Sequence, residues 1–108
     1  MEEALRNALE SGYVLLANYD GELAGIAVVS RVNFETFFPR YHLSYIATRP
    51  DLRGRGIGTA LLERVKEVTG GDFSLHVDIR NHNAIRLYEK IGMKRKYYRM
   101  LYRGGKGE

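Results

Sequence analysis

Apolar and polar residues alternate along this chain with two different periods, and each period predicts one kind of element. Residues Glu2 to Leu9 are good helix formers, which predicts a short helix that ends at Ser11-Gly12. Two runs rich in Val, Leu and Ile follow, over residues 13–19 and 23–32. Asp20-Gly21 between them supplies the positive φ of a tight hairpin turn. The first third of the chain is therefore predicted to be a helix followed by a β-hairpin.

The middle of the chain reads as an aromatic loop, a strand and a helix. Residues 33–40 hold three phenylalanines and a proline, which favours a loop, and residues 41–48 form a third strand that stops before Pro50. A helix is predicted over residues 57–69, ended by Gly70-Gly71. Its apolar residues share one face: Ile57, Leu61, Val65 and Val68.

The last third continues the alternation of strands and helices. Apolar and polar residues alternate over residues 73–79, which predicts a fourth strand. Asn83 is placed to cap a short helix from Ala84 to Ile91, with Gly92 as its stop. Residues 93–102 have the composition of one or two closing strands.

This order of elements indicates an α/β (α+β) fold with a mixed sheet and flanking helices. The segment from strand 41–48 through helix 57–69 to strand 73–79 has the length of a right-handed crossover, so those two strands are expected to be parallel. We expect a single domain over residues 1–102 and a flexible tail over residues 103–108.

Composition narrows the classes of protein that are possible. The chain has 108 residues and no cysteine, which excludes disulfides, thiolate metal sites and a cysteine nucleophile. We expect no metal site, because the three histidines do not form a ligand spacing with nearby acids. Without a long apolar run or a signal-like N-terminus, the chain is predicted to be soluble and cytoplasmic. Its net charge of +4 fits an anionic ligand or a solubilising surface equally well.

The most informative segment is the turn Arg53-Gly54-Arg55-Gly56-Ile57-Gly58, which lies between a strand and a helix. Unpaired N–H groups at a helix N-terminus attract anions, and glycines let phosphate oxygens approach that backbone closely. Two arginines add full positive charge. The lysine and hydroxyl residue of a nucleotide P-loop are missing, as is the third glycine of a dinucleotide fingerprint. The turn suits a diphosphate, or it is a solvated surface turn.

A second motif, Asn81-x-x-Ala84-x-x-Leu87-Tyr88-x-x-x-Gly92-Met93, decides between these two interpretations. Together with Arg53-x-x-Gly56-x-Gly58, it resembles the paired motifs of the GNAT (GCN5-related N-acetyltransferase) superfamily. The resemblance extends over about residues 1–102, and the strand end before the turn also matches. It implies a GNAT-like sheet that splays open between strands 41–48 and 73–79, with acetyl-CoA lying in the gap.

The resemblance also implies positions that bind the donor. Backbone groups of Ile46, Ala47 and Thr48 would pair with the pantetheine arm and polarise the thioester carbonyl. The N–H groups of the turn would hold the pyrophosphate: Arg53, Gly54, Arg55, Gly56, Ile57 and Gly58. Asn81 matches a position that contacts the cofactor arm. Arg86 would reach a CoA phosphate or serve as a solvated helix charge.

The resemblance implies direct acetyl transfer, in a ternary complex, to the amine of a small molecule, a peptide N-terminus or a lysine. It assigns two residues to this chemistry. Tyr88 matches the position of the family's general acid. This role suits a phenol, which has a pKa of about 10 and can protonate a departing thiolate. Tyr88 could instead be a core aromatic. His76 is the best candidate for the base that takes the proton of the amine. It lies on the face of its strand opposite Leu75 and Val77, where some N-terminal acetyltransferases of the family carry a glutamate. Asp78 shares that face, and His42 lies on the partner strand.

The chain departs from the family at both ends. It lacks the usual first strand and first helix, and its closing hairpin is short, so the donor half is complete and the acceptor half is abbreviated. An unpaired sheet edge invites pairing, so a homodimer is expected. A non-catalytic CoA-binding module remains the alternative. A nucleic-acid-binding domain, suggested by the basic and aromatic residues 94–99, is not expected.

Overall fold

The computed structural model describes residues 2–32 and 39–104, so most of the predicted aromatic loop lies outside the described residues. The elements follow the predicted order as far as the last helix. Helix α1 (Glu2–Ser11) leads into strands β1 (Tyr13–Tyr19), β2 (Glu22–Arg31) and β3 (Tyr41–Thr48). After a 3₁₀ turn at Pro50–Leu52 come helix α2 (Ile57–Thr69), strand β4 (Phe73–Ser74) and helix α3 (His82–Lys90).

The four strands form one mixed sheet in the order β1-β2-β3-β4. The two hairpin-type pairs are antiparallel, and β3 pairs with β4 in parallel, as the crossover length predicted. Asp20 and Gly21 both adopt positive φ, at 52° and 79°, which confirms the tight turn between β1 and β2.

A bulge in β3 decides which side chains face which helix. Val29 pairs with Leu43 whereas Val28 pairs with Tyr45, so Ser44 is the extra residue. Val29 and Leu43 belong to the core under α2, and we call that side of the sheet the α2 face. On the other side, the Ser30 hydroxyl donates to the Ala4 carbonyl of α1 at 3.3 Å, which defines the α1 face.

The core lies between α2 and the sheet. Leu62, Val65, Ala27 and Val29 have almost no exposed surface. Each large aliphatic side chain buried there stabilises the fold by about 1.5–3 kcal/mol. Gly25 lets the helix come close, because a Cβ at that position would lie 2.9 Å from Leu61 Cδ1 and 3.1 Å from the Ala47 carbonyl. Helix α2 is therefore held firmly where its N-terminus follows β3. The predicted apolar face was wrong in detail: Val68 is only half-buried, and Leu62 and Thr69 are buried.

Two elements in the last third of the chain have other bounds than predicted. The fourth strand pairs only over Phe73 and Ser74, after which the chain leaves β3. The alternation of apolar and polar residues continues to Leu75, which still packs on the α2 face. Such alternation predicts the direction of side chains, and it does not predict whether the strand is paired. Helix α3 starts at His82 and is capped by Asn81, whose side chain accepts from the Ala84 N–H at 3.2 Å.

One or two closing strands were predicted over residues 93–102. The structure describes all of these residues, and none of them forms a paired strand with the described sheet. Their large side chains are exposed: Tyr97, Tyr98, Met100, Leu101 and Tyr102. The segment has the composition of a strand but no partner within the described chain, and a strand needs a partner edge.

Candidate active site

The turn after β3 presents a helix N-terminus with unpaired backbone donors. Gly54 and Gly56 adopt positive φ, at 79° and 76°, and Gly56 is the N-cap residue of α2. The first helical hydrogen bond runs from the Ala60 N–H to the Gly56 carbonyl at 2.9 Å. The N–H groups of residues 57–59 therefore precede the helical ladder, and the glycine cap offers no side chain to accept from them. The local geometry is that of an anion site.

Ion pairs hold the entry to this turn in place. The Arg49 guanidinium contacts the Asp51 carboxylate at 2.7 Å and the Glu22 carboxylate at 3.0 Å. The hydrogen bond from Arg49 is the main cause that lowers the pKa of Asp51 below its usual range. These exposed contacts tie the turn to the start of β2 and fix its direction more than they stabilise the fold.

A cleft of about 240 Å³ opens in front of the turn, between the start of α2 and helix α3. Six of the residues predicted to bind the donor line it: Thr48, Arg53, Gly54, Gly56, Ile57 and Gly58. Leu52, Thr59 and Leu87 complete the wall, and sequence reasoning did not assign them to the site. Leu87 is the residue of α3 that lines this cleft, one position before the candidate acid Tyr88 in the chain.

Other predicted donor contacts lie outside this cleft. Ile46 packs against the core on the α2 face, and Ala47 opposes Ile26. Arg55 turns away: its guanidinium donates to the Tyr19 hydroxyl at 2.8 Å and lies 5.4 Å from the centre of that ring. No pattern in the sequence pointed to the contact between Tyr19 and Arg55, since 36 residues separate them.

Asn81 and Arg86 also have partners within the protein. The Asn81 side chain caps α3, and Arg86 donates to the Asn83 side chain at 2.6 Å. Asn81 lies at the N-terminus of α3, and Arg86 lies in the middle of that helix.

The gap itself begins where β3 and β4 separate. Pairing in the described sheet stops at His42 and Ser74, so the edge of β3 over residues 43–48 faces the gap instead of a strand. The Arg49 N–H donates to the Ala24 carbonyl of β2 at 2.9 Å, so the alternation of an antiparallel pair turns the backbone groups of Ala47 toward β2 and those of Ile46 and Thr48 toward the gap. Backbone groups on that edge can bind an extended ligand by β-type hydrogen bonds.

Tyr88 lies on the α2 face of the gap. Its ring packs against the core cluster and is half-buried. Burial raises the pKa of the Tyr88 phenol above its ordinary value of 10.0. A phenol in this environment stays protonated at neutral pH and is able to donate its proton.

Two imidazoles lie on the α1 face of the same gap. The ring centres of His42 and His76 are 4.8 Å apart. His42 is half-buried and its Nδ1 lies 2.9 Å from the Ser74 hydroxyl, whereas His76 is exposed. The sheet thus separates a candidate acid from a candidate base. Tyr45, which the bulge at Ser44 turns to the α1 face beside them, keeps 44% of its surface exposed.

Asp78 is not free to act as a base. Its carboxylate forms an ion pair with Arg80 at 3.0 Å. The hydrogen bond from the Arg80 side chain is the largest cause that lowers the pKa of Asp78 to about 2. A carboxylate held this strongly in its charged form is a poor proton acceptor near neutral pH.

Three features lie around the gap: a helix N-terminus whose N–H groups suit an anion, an open edge of β3, and a half-buried tyrosine and a pair of histidines on opposite faces of the sheet. Residues 1–93 match the model of the Acetyltransferase (GNAT) family. The chain belongs to this family, and its mixed sheet with flanking helices is the GNAT fold.

Two similar proteins are named as N-alpha-acetyltransferases. The chain is 34% identical over 90 residues to N-alpha-acetyltransferase RimI of Mycobacterium tuberculosis, covering 78% of this chain and 56% of that protein. It is 30% identical over 106 residues to N-alpha-acetyltransferase 50 of Danio rerio, covering 89% and 63%. The chain therefore spans roughly six tenths of the length of these curated relatives.

A solved structure agrees with membership of the GNAT family. Arabidopsis thaliana Naa50, in complex with the bisubstrate analogue CoA-Ac-MVNAL, superposes with a TM-score of 0.73 at 26% identity. The match covers 85% of this chain and 64% of that one.

None of the helices in the described ranges has both the length and the apolar character needed to span a bilayer.

Proposed function

We propose that this chain is an acetyl-CoA-dependent N-acetyltransferase whose acceptor is the α-amine of a peptide or protein. The observation that carries the proposal is the gap between β3 and β4, with the glycine turn at its mouth and with Tyr88 and His76 on its two faces. Membership of the GNAT family supports the reaction type, and relatives named as N-alpha-acetyltransferases support the acceptor class.

The glycine turn and the edge of β3 would bind acetyl-CoA through backbone groups as much as through side chains. The free N–H groups at the start of α2 would hold the pyrophosphate, with Arg53 as the charged side chain that lines the cleft. The open edge of β3 at residues 46–48 would pair with the pantetheine arm. Arg55 would anchor the turn to Tyr19 and contribute only its N–H to the phosphates.

The transfer would then be direct. The neutral amine attacks the thioester carbonyl carbon, so that a C–N bond forms and the C–S bond breaks as the intermediate collapses. The departing sulfur takes the phenolic proton of Tyr88, and His76 takes the proton that the amine loses. Both side chains recover their original protonation states by exchange with water. Each proton transfer is expected to contribute about 10²–10⁴-fold.

The test is a thiol-release assay with acetyl-CoA and a panel of amines that includes peptides with free and blocked N-termini, a lysine side chain and small amines. We expect turnover with free peptide N-termini, and a loss of about 100-fold in kcat for Tyr88→Phe with an unchanged KM for acetyl-CoA. Binding of acetyl-CoA without turnover of any amine would favour a non-catalytic CoA-binding module. Turnover that Tyr88→Phe leaves unaltered would remove the assigned acid.

The sheet also offers a surface for a second copy, and we infer that the chain forms a homodimer. Strand β1 is an edge strand of the described sheet, it carries no charged residue or proline, and Leu16 on it keeps 60% of its surface exposed. Exposed edges of this kind favour pairing with another chain. The exposed aromatic residues of segment 93–102 add apolar surface that association would cover.

A further inference from the structure

The two imidazoles at the foot of the gap differ in their surroundings. His76 is exposed and free to meet an incoming acceptor, whereas His42 is half-buried beneath it. The rings lie 4.8 Å apart between centres, with their planes inclined by 60°. Contact of this kind favours particular orientations of one ring relative to the other.

His42 is in turn fixed by the sheet. It stands on β3 directly beside Ser74 of β4, in the last pair of residues before the strands separate. Its Nδ1 lies 2.9 Å from the Ser74 hydroxyl, which occupies one of its two polar atoms. Ser74, His42 and His76 therefore form a short chain of contacts that runs from the vertex of the gap to solvent on the α1 face.

We propose that His42 is a positioning residue for His76: hydrogen-bonded to Ser74, its ring holds the His76 imidazole against the gap in the orientation that takes the proton of the acceptor amine. This inference rests on the proposed function and adds to it a residue that does not itself touch the reacting atoms. The base then depends on the last paired residues of the sheet for its geometry.

The electrostatics of the pair agree with this division of roles. Burial is the first cause that lowers the pKa of His42, and the positive charge on His76 is the second. Polar groups on this side include the Tyr45 phenol and the hydroxyls of Ser44 on β3 and Ser30 on β2, and the α1 carbonyl of Ala4 accepts from Ser30. Both causes favour the neutral form of His42, since two adjacent imidazolium ions would repel each other.

Four variants separate the parts of this chain of contacts. His42→Phe keeps a ring and removes its nitrogens, Ser74→Ala removes the hydroxyl partner, and His76→Ala removes the base. His82→Phe is the matched control, because His82 is an exposed histidine at the start of α3. Each is assayed for kcat and for the KM of acetyl-CoA with a peptide that has a free N-terminus, and circular dichroism checks that each variant folds.

We expect His42→Phe and Ser74→Ala to lower kcat about tenfold with the KM for acetyl-CoA within about twofold of wild type, and His76→Ala to lower kcat about 100-fold. The double variant His42→Phe/His76→Ala should be no slower than His76→Ala alone, because the positioning residue has nothing left to position. NMR titration should show the pKa of His42 moving up toward its ordinary value in His76→Ala, because the neighbouring charge is gone.

The outcomes distinguish this inference from the proposed function. Full activity of His42→Phe beside an impaired His76→Ala would overturn the role of His42 and leave the enzyme and its base intact. Additive losses in the double variant would also overturn it, since they would mean independent effects. Full activity of His76→Ala would remove both histidines while the acetyltransferase stands. Absence of turnover in the wild-type chain would overturn the proposed function and this inference together.

Discussion

At the scale of single residues, the sequence predicted the identity of the chemical groups better than their contacts. Tyr88 and His76 were singled out by their motif and by alternation, and they lie on the two faces of one gap. The tie between Arg55 and Tyr19 could not be predicted, because it joins residues that are distant in the chain and depends on where α2 rests on the sheet. The same is true of the contact between His42 and His76.

The burial of Tyr88 leads to a prediction about pH. Because burial raises the pKa of this phenol above 10, the protonated form that donates is retained throughout the neutral range and is lost only at strongly basic pH. We expect kcat at saturating substrates to show no decline between about pH 7 and pH 9. Tyr97→Phe, at an exposed tyrosine, is the control and should keep the wild-type profile. A decline in kcat with a midpoint near pH 8 that disappears in Tyr88→Phe would contradict this assignment.

At the scale of elements, local signals predicted helices and turns well and strand pairing poorly. Helix α2 has its predicted bounds because glycines lie at both of its ends, and the β1–β2 turn follows from Asp20-Gly21. Strand β4 is five residues shorter than the seven predicted, 73–79 against Phe73–Ser74, because pairing depends on where β3 lies and not on local pattern. The cap of α3 is Asn81 instead of Asn83, and both asparagines suit a cap.

The glycine turn before α2 leads to a prediction about stability and acetyl-CoA affinity. Gly56 and Gly71 both have positive φ, at 76° and 80°, and a Cβ added to either would meet no atom within 4 Å. Gly56→Ala and Gly71→Ala should therefore destabilise the fold similarly, by about 1–2 kcal/mol, through backbone strain alone. Only Gly56→Ala should also weaken acetyl-CoA binding, by about tenfold or more in calorimetry, because the turn must shift at the phosphate site. Equal affinity in the two variants would place the donor elsewhere.

At the scale of the whole molecule, the order of elements predicted the fold class, and the two motifs together indicated the family. The arrangement of the C-terminal segment could not be predicted in the same way. Residues 93–102 have the composition of a strand, but whether such a segment pairs depends on which edge it can reach, within its own chain or in a second copy.

Association is the prediction that belongs to this scale. Sedimentation at micromolar concentration should give the mass of a dimer, because β1 and segment 93–102 both leave apolar surface exposed. Leu16→Lys places a charge on the β1 edge and should shift the protein toward the monomer. Glu10→Lys, on the exposed side of α1, is the matched control. A wild-type protein that sediments as a monomer throughout this range would remove the homodimer.

The central claim is that this chain moves an acetyl group from acetyl-CoA to the α-amine of a peptide, and the location of the acetyl group on the product tests it most directly. A peptide with a free N-terminus and one internal lysine is incubated with acetyl-CoA and the chain, and tandem mass spectrometry locates the modification. We expect one acetyl group on the α-amine, and about 100-fold less product in the same time with Tyr88→Phe. An unmodified peptide in the presence of bound acetyl-CoA, or acetylation of the lysine alone, would contradict the account.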